Sequence, residues 1–122
     1  MDEKLKAFVS ACDELAQSGC DASSCVSQAA PLMLELVKTG HELLSPDQMQ
    51  EDPKAYARNA IHLGDADGTS LFALVWLPGQ WTPVHDHGTW GVVGVLEGVL
   101  EERSFLPADN FKKNSEYYEL QT

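Results

Sequence analysis

The chain opens on a helical rhythm. Leu5, Phe8, Val9, Cys12, Leu15 and Ala16 recur at i, i+3, i+4, i+7, i+10 and i+11, one apolar stripe along a helix. Gly19 follows as a natural stop. The same spacing returns at Val26, Ala29, Ala30, Met33, Leu36 and Val37 and ends before Gly40. Pro31 interrupts this second stripe. Proline fits the first turn of a helix or a bend, so the helix either starts near Gln28 or bends at Pro31.

Beyond the helices the rhythm changes. Ser45 to Pro53 is polar and carries two prolines, a connector with room for a short helical turn after Ser45-Pro46. Tyr56–Leu63 and Ser70–Leu77 read as strands joined by the turn Gly64-Asp65-Ala66-Asp67-Gly68, and Pro78-Gly79 marks a second turn. Trp90–Leu96 and Val99–Phe105 are β-rich and flank Glu97-Gly98, a hairpin signal. Tyr117–Leu120 starts another strand. Helices first and short antiparallel strands afterwards predict an α+β chain whose larger part is a sandwich or barrel.

Composition narrows the class. With 122 residues the chain is one domain, able to bury roughly two-thirds of its unfolded surface. Acids outnumber bases 19 to 8, a net charge of −11. That balance leaves little to neutralise phosphates or anionic lipid, so neither nucleic acid nor membrane is expected as a partner. The longest apolar run, Leu71 to Leu77, falls far short of the ~20 residues a bilayer span needs. The N-terminus, MDEKLKAFVSACDEL, has scattered charges and no signal-like apolar core, which predicts a cytoplasmic protein. Cys12, Cys20 and Cys25 match no zinc spacing and are expected as free thiols.

Two of the four histidines form His85-Asp86-His87. On a strand, residues i and i+2 share a face, so both imidazoles would project together and could share a metal. Arg58 and Tyr56 are likewise one alternation apart and share a face. His62 has the same parity as Arg58 but lies about 13 Å further along an extended strand. His41 follows Gly40 and suits the C-terminal end of a helix.

The run from Gly79 to Gly98 resembles the first metal motif of the cupin superfamily. That motif places Gly, His-x-His, Glu and Gly at the spacing of Gly79, His85, His87, Gly91 and Gly98. Gly91 stands where the carboxylate would be, and its loss is similar to the cysteine dioxygenase (thiol dioxygenase) family, whose iron is held by three histidines. Tyr56-Ala57-Arg58-Asn59, followed by a strand, a glycine turn and a second strand, resembles the Tyr-x-Arg-Asn segment of that family. The resemblance covers roughly residues 5–105.

It implies a mainly β fold: a cupin-type antiparallel β-barrel (jelly roll), complete or partial, preceded by two to three α-helices. The whole of 1–122 would be a single cupin-like domain, with 1–44 the helical N-terminal part and 54–122 the β-barrel part. It implies a non-haem iron thiol dioxygenase that oxidises L-cysteine with O2 to cysteine sulfinate, with Fe(2+) as cofactor and a small thiol and O2 as partners. His85 and His87 would ligate the metal, and Tyr56 and Arg58 would bind the substrate carboxylate. Gly91 also occupies the place of the cysteine that is cross-linked in animal enzymes, so no thioether is expected.

Elementary chemistry agrees with these roles. Neutral imidazoles leave a ferrous ion its full charge, which favours a thiolate. The planar fork of Arg58 suits a carboxylate. Two oxygen atoms on sulfur give a sulfinic acid. The family's third histidine would follow well after His87, further along than Thr122, which leaves His62 as the one candidate within the strands. Alternatives are a relative acting on 3-mercaptopropionate, although an arginine at position 58 leans towards cysteine, and a truncated, non-catalytic metal-binding cupin. Missing barrel strands would leave unpaired edges, through which the chain could form oligomers.

Overall fold

A computed structural model describes residues 1–107 and 117–119. In chain order the elements are α1 (Glu3–Gln17), α2 (Ala22–Lys38), α3 (Gly40–Leu43), a 3-10 turn (Pro46–Met49), β1 (Ala57–His62), β2 (Leu71–Val75), β3 (Phe105–Pro107) and β4 (Tyr117–Glu119). The helices begin where local chemistry favours them. The Asp2 carboxylate accepts the Lys4 amide at 2.8 Å, and Asp21 accepts the Ser24 amide at 2.8 Å, each satisfying an otherwise orphan donor. Ser18 caps the end of α1, and Gly19 beyond it takes a φ of +78°, the left-handed conformation that closes many helices.

α2 runs unbroken through Pro31 and starts six residues before Gln28. Its first turn is set by Asp21, and only one internal hydrogen bond is lost at the proline. Its most buried residues are Cys25 and Ala29, four apart, rather than the Val26 and Ala30 of the sequence stripe. Ala29 meets Leu5, Phe8, Val9 and Cys12 of α1, and with Leu71 of β2 these side chains form the core. Each large apolar side chain so buried stabilises the fold by about 1.5–3 kcal/mol.

Cys20 and Cys25 are joined in a disulfide, their Cα atoms 5.8 Å apart, so only Cys12 is a free thiol. This corrects the expectation of three free thiols. The connector doubles back into the first turn of α2, which brings two cysteines five residues apart within bonding reach.

β1 and β2 pair antiparallel, with Arg58 opposite Leu74 and Ala60 opposite Phe72, as their alternation and intervening turn predict. A bulge between Ala60 and His62 then sets His62 opposite Leu71. The expected helical turn after Ser45 is the 3-10 turn, closed by a reciprocal Ser45–Gln48 capping box.

The mainly β, cupin-type barrel is not formed. Among the described residues the strands lie in two separate two-stranded antiparallel sheets, β1–β2 and β3–β4, while α1 and α2 hold 15 and 17 residues. No residue from 76 to 104 joins a ladder, and the hairpin expected around Glu97-Gly98 is absent. Pro78 and Pro83 remove backbone donors, and Gly79, Gly88 and Gly98 take positive φ. The apolar residues of Trp90–Leu96 bury one face against the helical layer instead of a facing sheet: Trp90 and Val92 pack on the core, and a Cβ on Gly94 would strike Met33 and Val37. The expected strand at Tyr117–Leu120 is present as β4, whereas Leu120 lies outside the described residues.

Candidate metal centre

His85 and His87 lie on an exposed irregular segment, not on a strand. Pro83 precedes them and Gly88, with a φ of +65°, follows, so no pleat sets their directions. Their rings nonetheless approach, with centroids 5.0 Å apart and planes at 65°. Two imidazoles sharing one divalent ion through nitrogens ~2.1 Å from it would have centroids about 5 Å apart when roughly 100° separates them. The observed spacing fits that arrangement.

The neighbour of His85 decides which ring nitrogen donates. Its Nδ1 lies 2.8 Å from the Pro83 carbonyl oxygen, which can only accept, so Nδ1 carries the proton and donates. In the neutral ring Nε2 is then the nitrogen that keeps a lone pair. Metal-binding histidines are commonly held in this way, one nitrogen donating to a carbonyl and the other free for the ion.

Tyr56 and Arg58 share a face at the start of the β1–β2 sheet, as parity predicts. Tyr56 stacks on Trp76 at 5.1 Å, nearly parallel, and the Arg58 guanidinium lies 4.5 Å above the Phe72 ring. Among the described residues Arg58 makes no ion pair or hydrogen bond. The ring covers the face of its guanidinium and leaves the N–H edge open to an anion. Sequence reasoning passed over Phe72 and Trp76. Their signal was the parity of Ser70–Leu77, which puts positions 72, 74 and 76 on the face of 56 and 58 once the two strands pair.

His62 is not brought to the pair. The bulge turns it to the side of Leu71, where it interacts electrostatically with Asp13 of α1. Parity with Arg58 fails there because one extra residue in β1 resets the alternation. His41 lies within α3 rather than at the end of α2. Among the described residues no third His, Cys, Asp or Glu joins a group that could hold a metal ion. The donor set described is therefore two imidazoles, enough to hold a divalent ion weakly and leave most of its positions to other ligands.

No family model matches the chain. No solved structure matches it. No helix among the described residues is long and apolar enough to cross a membrane.

Proposed function

We propose that the chain is a metal-dependent thiol-oxidising protein of the cysteine dioxygenase type. His85 and His87 hold ferrous iron, and Arg58 with Tyr56 receives the carboxylate of L-cysteine. The observation that carries this reading is the His85–His87 pair, 5.0 Å between rings, with the Nδ1 proton of His85 committed to Pro83 and Nε2 free. When bound, the ion would bring thiol and dioxygen together for conversion to the sulfinate. The open N–H edge of Arg58 fixes the far end of the substrate by a charge-assisted, two-point contact. The Tyr56 ring, packed on Trp76, offers its hydroxyl beside that contact.

The setting we propose is the cytoplasm, where a reducing environment keeps iron ferrous and small thiols abundant. There the Cys20–Cys25 bridge would be a reducible pair rather than a permanent staple.

A second reading has its own observation. Only two donors are brought together among the described residues, which favours a protein that binds a divalent ion without turnover. One experiment separates the two. The chain is loaded anaerobically with ferrous iron, and bound iron is measured beside cysteine-dependent sulfinate formation. Iron binding with sulfinate supports the dioxygenase, and iron binding without sulfinate supports the binding protein. Absence of iron binding, or binding unchanged in His85→Ala and His87→Ala, refutes both.

A further inference from the structure

The two ends of the Cys20–Cys25 bridge differ in access. Cys25 is 1% exposed in the first turn of α2, whereas Cys20 is partly exposed on the connector between the two long helices. Ser18, Gly19, Ala22, Ser23 and Ser24 around it are small and exposed, so little bulk stands between its sulfur and a reagent from solvent. The one charge in that stretch, Asp21, turns its carboxylate to the Ser24 amide. A bridged sulfur carries no proton. Even so, Sγ of Cys20 lies 3.2 Å from the Leu15 carbonyl oxygen, and Sγ of Cys25 lies 3.4 Å from the Cys20 carbonyl oxygen. A thiol in either place would have an acceptor for its S–H without moving. The same local structure therefore accommodates the bonded and the reduced pair.

We infer that Cys20–Cys25 is an exchange site for small thiols and their disulfides, with Cys20 the sulfur that is attacked. Partial exposure of Cys20 suits a small reactant. The electron pair of the incoming thiolate forms a new S–S bond to Cys20 Sγ. The Cys20–Cys25 bond breaks and its pair leaves on Cys25 Sγ, in the first turn of α2, where the N-terminal end of the helix dipole favours negative charge. That thiolate takes a proton from water and, as a thiol, donates to the Cys20 carbonyl. A second small thiolate then attacks the small thiol's own sulfur and frees Cys20. In sum two small thiols become one small disulfide, and the bridge becomes two thiols. In reverse, the small disulfide places an adduct on Cys20 that Cys25 resolves. Exchange here needs neither iron nor the histidine pair.

The test uses the iron-free full chain, glutathione and glutathione disulfide under native conditions, with acid quenching, alkylation and peptide mass mapping. In the wild type, bridge and dithiol should interconvert reversibly with the glutathione ratio, while far-UV circular dichroism keeps its helical signal at both extremes. With glutathione disulfide, Cys25→Ser should trap the adduct on Cys20, and Cys20→Ser should be modified at Cys25 about tenfold more slowly or less. Should either variant fail to fold, the reduced wild type gives the same comparison, because iodoacetamide should reach Cys20 about tenfold faster than Cys25. A bridge that opens only in denaturant overturns the proposal, as do three free thiols persisting in glutathione disulfide. Equal or reversed reactivity of Cys20 and Cys25 overturns it too.

Discussion

The Asp13 carboxylate on α1 accepts the backbone N–H of Thr69 at 2.7 Å, tying the turn between β1 and β2 to the first helix. Fifty-six residues separate the two in sequence. This hydrogen bond is the polar counterpart of Leu71, which inserts into the helical core from the start of β2. Together they seat the small sheet that carries Tyr56 and Arg58.

Asp13→Ala should cost about 1 kcal/mol of stability, the worth of a charge-assisted hydrogen bond at a partly exposed site. Hydrogen bonds from Thr69, its hydroxyl first and its amide second, hold the Asp13 carboxyl below its ordinary value of 3.8, and His62 contributes a little more. A carboxylate depressed in the folded state binds protons more readily when unfolded. Its stabilisation is therefore full above the ordinary value and is lost as pH falls through the lowered one. Urea midpoints should fall more steeply between pH 5 and 3 in wild type than in Asp13→Asn. Parallel slopes would show that Asp13 contributes nothing to acid sensitivity.

Arg58→Ala should lose ~2–4 kcal/mol of transition-state stabilisation with cysteine, as for a severed charge-assisted pair. Oxidation of cysteamine, which lacks a carboxylate, should change much less. The comparison of kcat/KM for the two thiols decides the role, because loss of the stacking on Phe72 alone would affect both equally.

Reduction of Cys20–Cys25 should destabilise the helical layer by roughly 2 kcal/mol, the chain-entropy value for so short a loop. Thermal melts with and without a reductant measure it, and the Cys20→Ser/Cys25→Ser variant should melt like the reduced protein. A variant as stable as the oxidised chain would mean that Asp21 and the core hold the start of α2 unaided.

Gly94→Val should destabilise by about 1–3 kcal/mol through overpacking. A Cβ there would sit 2.6 Å from Cγ1 of Val37 and 2.8 Å from Cγ of Met33. Gly94→Ala should cost less, because the Met33 side chain can give way. Denaturant titration of the two variants checks the order.

What the sequence made legible was local. The period of the first stripe, the cap residues and the glycine turn each act within a few residues, and α1, the 3-10 turn and the β1–β2 hairpin follow from them. The expected barrel failed because strand pairing is settled at long range. Trp90–Leu96 alternates as a strand should, yet alternation records only which face is covered, and here the cover is α2. The parity of His62 with Arg58 failed for a smaller reason. Parity counting assumes an unbroken pleat, and one bulge after Ala60 moves it to Asp13. The His85–His87 pair was legible in its residues but not in its cause, since a bent segment rather than a strand brings the rings together.

Cys12 is 2% exposed in the middle of the helical core, and burial, aided by the Asp13 charge beside it, pushes its thiol above the usual range. Such a sulfur is slow to react for two reasons at once, scarce thiolate and no access. With the other two cysteines bonded to each other, it is the one thiol an alkylating reagent can take from the oxidised protein. The chain thus carries an internal clock. The rate at which Cys12 is labelled counts how often α1 and α2 part, and needs no probe added to the molecule.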